Sequence, residues 1–212
     1  MEHRYIAIEG PIGVGKTSLA KMLAEEFEGR LILEDVEENP FLRQFYEARE
    51  KHAFQAQVFF LLSRYKQQQG AMQQDLFAQT TVADYIFDKD RIFATVNLSD
   101  SELALYDQIY ALLDHRVTRP DLVIYLQAGT KVLLDRVKRR GKDYERTLDA
   151  RYLEKLAEAY NNYFFYYAST PLLVINTDAI DFIQSRGDFL ELIKEIRRFQ
   201  RGKQYFNPLG SK

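Results

Sequence analysis

The chain contains no cysteine among its 212 residues. That removes disulfide staples and thiolate metal sites from any account of its stability or chemistry. An excess of one charge is also missing: 29 Lys and Arg stand against 31 Asp and Glu, a formal net charge of -2. A binder of nucleic-acid polymers or membrane surfaces needs a basic excess that this composition lacks. No apolar run approaches the length of a membrane span, and the residues before Glu9 lack the apolar stretch of a signal peptide. Linkers rich in Pro, Gly or Ser, internal repeats and low-complexity tracts are absent as well. A 46% hydrophobic content supplies one good core, so a single cytoplasmic domain over residues 1–201 is expected. Residues 202–212, with Pro208 and Gly210, are expected to form a loosely ordered tail.

What is present is an alternation. Short apolar runs at Arg4 to Glu9, Leu31 to Leu33, Thr80 to Ala83, Leu122 to Leu126 and Leu172 to Ile175 read as strands. Helical patterns lie between them at Lys16 to Glu28, His52 to Gln69, Ser101 to Val117, Thr130 to Arg140 and Asp149 to Tyr167. Asn39 and Pro40 open a further helical region, and a last helix is expected from Ser185 to Arg201. This order predicts an α/β fold with a mainly parallel five-stranded sheet and helices on both faces. In such sheets ligands bind outside the carboxyl ends of the strands.

The first strand ends in Gly10-Pro-Ile-Gly13-Val14-Gly15-Lys16-Thr17, which fits G-x-x-x-x-G-K-[ST] at every fixed position. Glycines let such a loop curl so that its N–H groups face phosphates, and the following helix adds its positive end. Lys16 is expected on the β- and γ-phosphates and Thr17 on Mg²⁺. Val14 and Ser18 complete the phosphate-binding set, Ser18 being one position late for the metal. The loop predicts the P-loop NTPase fold. No N-K-x-D guanine motif occurs, and no apolar strand closes in Asp-Glu, which speaks against a switch GTPase or a remodelling ATPase.

Acid follows strands two and three instead: Glu34 after Leu33, and Asp84 after Ala83. One carboxylate can accept a proton from an attacking hydroxyl while the other serves Mg²⁺. The alternative for Glu34 is a solvated charge in a run with Asp35, Glu37 and Glu38. Arg136, Lys138, Arg139, Arg140 and Lys142 cluster around Gly141, as in the small lid that closes cations over phosphates. A solvated basic helix end is the alternative there. On the long helix, Ala53, Gln57, Phe60 and Arg64 share one stripe. A Gln donor-acceptor pair and an Arg fork can read a flat heterocycle, unless both simply reach solvent.

From the first strand to about Asp178 the chain resembles the deoxynucleoside kinase family, bacterial branch. Glu34-Asp-Val36 is similar to the family's Glu-Pro-Val segment, whose glutamate is the base. Tyr46, Gln57 and Arg64 match its spacing of sugar-binding Tyr, base-binding Gln and base-contacting Arg. Lys89-Asp90-Arg91 is similar to the segment whose Asp pairs with that Arg. Arg136, Arg140, Gly141, Lys142 and Glu145 match its lid cations and 3'-hydroxyl-binding Glu, and Tyr152 to Leu156 follows at the family's spacing.

The resemblance implies transfer of the ATP γ-phosphoryl group to the 5'-hydroxyl of a deoxynucleoside, purine favoured. It also implies Mg²⁺ at Thr17 and Asp84, catalytic roles for Glu34, Lys16, Arg136 and Arg140, and a homodimer. Two positions depart from the pattern. Asp84-Tyr85-Ile86 stands where eukaryotic members have Glu-Arg-Ser, so the Arg that touches the base is missing, and Lys142 stands where Arg is common. A nucleoside monophosphate kinase of thymidylate-kinase type and a non-catalytic regulatory subunit are the competing readings.

Overall fold

A computed structural model describes residues 3–73, 80–145 and 147–210. The elements run β1 (Tyr5–Glu9), α1 (Lys16–Glu26), β2 (Arg30–Ile32), α2 (Leu42–Glu47), α3 (Arg49–Gln73), β3 (Thr81–Ala83), α4 (Lys89–Asn97) and α5 (Asp100–Asp114). Then come β4 (Leu122–Gln127), α6 (Thr130–Arg140), a 3-10 turn (Asp143–Glu145), α7 (Ala150–Tyr166), β5 (Leu172–Asn176), α8 (Arg186–Arg198) and β6 (Lys203–Phe206).

The strands form one sheet in the order β2-β3-β1-β4-β5-β6, with every pairing parallel. Side-chain alternation splits each strand between two cores. Ile6, Ile8, Leu122, Ile124, Leu173 and Ile175 pack with α1 and α8 through Leu19, Leu23, Phe189 and Leu192. Ala7, Val123, Tyr125, Leu172 and Val174 face α4 and α7 through Ile92, Leu156, Tyr160 and Phe164. With both faces covered, the strands have no polar side, which is why they read as continuous apolar runs.

Register decides where the charges emerge. One row crosses the sheet through Ile32, Ala83, Ala7, Val123, Leu172 and Lys203. Two residues beyond that row lie Glu34 and Glu9, with Asp84 one beyond it, so three carboxylates collect at the carboxyl edge. There β1 has neighbours on both sides, reached by connections running in opposite directions, and the strand order turns. This is the switch point at which α/β sheets open a crevice.

The sheet has six strands, not the five expected. Lys203–Phe206 falls in the stretch read as a loose tail, yet it pairs with β5 along its length. Gly202 turns the chain at φ +80. The Lys203 ammonium then donates to the Phe164 and Phe165 carbonyls at 2.9 and 2.7 Å, capping the end of α7. Phe206 packs against the larger core. Polar residues disguise this strand because it lies at the sheet edge. The helix α4 was also missed; its β-branched and aromatic residues favour a helix only through packing against α3 and α7.

Candidate active site

At the carboxyl edge of β1 the backbone of Gly10, Gly13 and Gly15 takes φ of 149, 87 and 108. These angles favour glycine. At Gly13 a Cβ would also stand 2.8 Å from the Leu133 carbonyl of α6, so the loop and that helix approach backbone to backbone. Lys16 curls back over the loop, donating to Gly10 O at 2.7 Å and Pro11 O at 3.2 Å. Burial first, and then the nearby Lys89, lower its pKa to about 8 against the pull of Glu9, Glu34 and Asp84.

A cavity of about 270 Å³ opens between this loop and α3. Lys16, Thr17, Glu34 and Asp84 line one end. Tyr46, Gln57, Phe60 and Arg64 line the middle, and Arg140, Lys142 and Glu145 close over it. These residues, far apart in the sequence, therefore line one space. Val14 is buried in the core beneath the loop, and Ser18 lines a second cavity of about 220 Å³ with Gly13, Gly15, Arg136 and Arg140.

Glu34 is not solvated: its side chain is 9% exposed. One carboxylate oxygen accepts from Arg64 and the other from Lys89. Burial pushes its pKa up, but those two cations more than offset it and leave it at about 2. Arg64 continues to Asp90, whose side chain is 1% exposed. Burial pushes the Asp90 carboxyl up to about 6 despite Arg64. The result is a buried chain of charges: Lys89, Glu34, Arg64, Asp90. Beside it, Gln57 is buried, and its Oε1 has no hydrogen-bond partner. Buried acceptors are nearly always satisfied in folded proteins, so an orphan on a cavity wall points to a ligand.

Thr17 Oγ1 donates to Asp84 at 2.6 Å, and the Glu34 amide donates to the other oxygen of Asp84 at 2.8 Å. No group of three or more His, Cys, Asp or Glu that would hold a metal occurs among the described residues. A phosphate-bound Mg²⁺ does not need one, since it takes one or two protein oxygens and completes its shell with phosphates and water. The hydroxyl and carboxylate of Thr17 and Asp84 fit that demand.

Residues 6–201 match the family described as deoxynucleoside kinase. The chain belongs to that family. It is 36% identical over 198 residues to a deoxyguanosine kinase of Bacillus subtilis (strain 168), covering 91% of this chain and 96% of the relative. A deoxyadenosine kinase of Dictyostelium discoideum is 32% identical over 213 residues, covering 98% and 85%. Among solved structures, deoxyadenosine kinase from M. mycoides with bound dATP superposes with a TM-score of 0.79. It is 27% identical and covers 92% of this chain and 100% of that one.

In the kinase, Arg136 sits apart from the main cavity. Its guanidinium donates to the Val14, Thr177 and Ile180 carbonyls and to Thr177 Oγ1 at 2.9–3.2 Å. It ties the phosphate loop to the segment after β5. Arg140 instead pairs with Glu145 at 2.6 Å, and Lys142 with Glu37 at 3.1 Å. Tyr46 stands beside the Tyr144 ring, 5.5 Å between centroids.

Two residues escaped the sequence reading. Lys89 was seen only as a neighbour of Asp90, and nothing in its spacing shows that α4 carries it to Glu34. Glu9 is fully buried and accepts from the Gly10 and Ile86 amides at 2.8 and 3.2 Å. A glutamate closing an apolar strand just before a phosphate loop was the signal available for it.

Proposed function

We propose that this kinase transfers the γ-phosphoryl group of ATP to the 5'-hydroxyl of a deoxynucleoside, with purine deoxynucleosides favoured. The observation that carries this is a carboxylate, Glu34, in the same cavity as the phosphate loop, with an unsatisfied base-reading amide, Gln57, further along the wall. An acceptor that already bears a phosphate needs no carboxylate base, and it would be repelled by one. The monophosphate-kinase reading therefore loses ground. A regulatory subunit without catalysis would have no use for so complete a charge set.

The 5'-hydroxyl enters beside Glu34, which takes its proton as the oxygen attacks phosphorus in line. Lys16 and the loop amides hold the β- and γ-phosphates, and Arg140 and Lys142 leave Glu145 and Glu37 to neutralise the developing charge. Thr17 and Asp84 would hold Mg²⁺, which when bound shares the charge of the β- and γ-phosphates. Tyr46 and Glu145 bind the sugar 3'-hydroxyl; Gln57 and the Arg64–Asp90 pair face the base. The deoxyguanosine and deoxyadenosine kinases among the relatives support the purine preference.

Leu62 of α3 and Leu105 and Leu112 of α5 are large apolar side chains left 48%, 49% and 69% exposed. They support a homodimer, which light scattering would report as twice the chain mass. No helix among the described residues is long and apolar enough to cross a membrane. The proposed setting is cytoplasmic, without nucleic-acid polymer or membrane as partner.

The test is a product assay with ATP and a panel of deoxynucleosides and their monophosphates. Formation of deoxyguanosine or deoxyadenosine 5'-monophosphate is the expected outcome. Turnover of monophosphates alone, or of nothing, would overturn the reading.

A further inference from the structure

Tyr85 stands where the resemblance calls for an arginine against the catalytic carboxylate, and it does not replace that arginine. It is fully buried, and its hydroxyl donates to Gln67 Oε1 at 2.7 Å. Gln67 Nε2 in turn donates to the Leu33 carbonyl at 2.5 Å. Tyr85 is thus a neutral brace, through Gln67, on Leu33, which lies just past β2 and immediately before Glu34. Besides Arg64, a second cation is nevertheless present on the base. It comes from Lys89, four residues later and at the first position of α4, where the Nζ meets Glu34 Oε2.

We infer that Lys89 is the positioning cation of the Glu34 base, filling from position 89 the role left empty at position 85. The inference rests on the proposed role of Glu34. Three observations carry it. The Lys89 side chain is only 8% exposed, which a lysine tolerates only when paired. It lines the same cavity as Lys16, Thr17 and Glu34, so its charge borders the path of the reacting oxygen. It also lies in the field of Glu9, a carboxylate sealed beneath the loop. The charged groups around it are therefore Glu9 from β1, Lys16 from α1, Glu34 after β2, Arg64 from α3 on the same carboxylate, and Asp90 on its own helix.

The reaction it serves balances simply. The 5'-hydroxyl proton passes to Glu34, the new bond forms between that oxygen and the γ-phosphorus, and the bond to the β,γ-bridging oxygen breaks to release the nucleoside diphosphate. Before transfer, Lys89 holds the carboxylate oriented. After it, the ammonium faces a neutral acid and an oxygen still shedding charge.

The lack of cysteine makes a clean experiment available. Lys89→Cys introduces a single thiol, and alkylation with 2-bromoethylamine returns an ammonium at nearly the original reach. Lys89→Cys should lower kcat by about 100-fold, with KM for ATP changed by less than about threefold. Alkylation, verified by mass, should recover at least about tenfold.

A kcat within about threefold of wild type would overturn the inference, and so would a loss that the restored ammonium fails to reverse. Should Lys89→Cys not fold, Lys89→Arg carries the test. Turnover within about tenfold at unchanged KM for ATP supports the role, and collapse to the level of Glu34→Gln sinks it. If the wild-type chain phosphorylates no deoxynucleoside, the Glu34 reading itself fails. If wild type is active and the Lys89 variants match it, only the present inference does.

Discussion

Two sets of charges face the same cavity and differ in their solvation. The inner set, Lys89, Glu34, Arg64 and Asp90, has side chains between 1% and 9% exposed. The lid cations Arg140 and Lys142 are 41% and 37% exposed; Lys142 pairs with Glu37, itself 71% exposed, and Arg140 with Glu145, whose side chain is 6% exposed. Buried pairs are held because breaking them strands a charge away from water. Exposed pairs contribute little and exchange partners readily. The inner wall is therefore built to stay put and the lid to let go, which is what a transfer between a fixed acceptor and an incoming triphosphate requires.

The largest expected effect breaks the inner set at its centre. Glu34→Gln should reduce kcat by about 1,000-fold, the upper-middle range for a lost general base. Because two buried cations lose a counter-charge, unfolding free energy should also drop, by about 1–3 kcal/mol. Arg64 keeps Asp90, which limits the damage. Near-normal turnover would remove Glu34 from the base role. Lys142→Gln, on the lid and ion-paired to the 71% exposed Glu37, should behave oppositely: kcat lower by about 100-fold, with a thermal midpoint within a degree or two of wild type. A marked fall in its midpoint would mean that the lid is structural after all.

Acid titration sharpens the same contrast. The folded pKa of Glu34 lies near 2, below its ordinary value of 4.5. Its contribution to stability is then complete above 4.5 and is lost as pH falls toward 2. In the same cavity, Lys16 is lowered to about 8. Phosphate binding favours its charged form, so ATP binding should take up a proton above pH 8 and weaken as pH rises. Between pH 7.5 and 9.5 the ATP Kd measured by calorimetry should rise by about 20-fold, while the deoxynucleoside Kd stays nearly constant. A flat ATP profile would place Lys16 elsewhere in its titration.

How much of this was readable in the chain depends on distance along it. The phosphate loop is local, so its residue order declares it. The stripe of Gln57, Phe60 and Arg64 lies on one helix, where steps of three and four suffice. Glu34 and Asp84 were placed by the rule that strand ends share an edge, and the register of β2, β3 and β1 delivers them there. Contacts between elements were not legible. Lys89 reaches Glu34 only because α4 packs against α3 and α7, and Arg136 turns toward Thr177 and Ile180 because α6 lies beside the segment after β5. The edge strand β6 was hidden for a related reason: its polar residues face solvent, and its partner lies some thirty residues upstream at Leu172–Ile175.

The smallest effect is also the most discriminating. Gln57 carries a buried Oε1 without a partner, which costs folding free energy in the unliganded protein. A residue kept for stability would not be left this way; one kept to meet a heterocycle would. Gln57→Ala should therefore weaken deoxynucleoside binding by about tenfold, the loss of one or two hydrogen bonds, and leave ATP binding alone. Its thermal midpoint should stay level or rise, since removing the amide also removes the orphaned acceptor, offset by the small cavity left behind. Calorimetric titration of each ligand beside a thermal melt decides the matter. A variant that unfolds earlier yet binds nucleoside normally would make Gln57 a packing residue and move base reading to Arg64 and Asp90 alone.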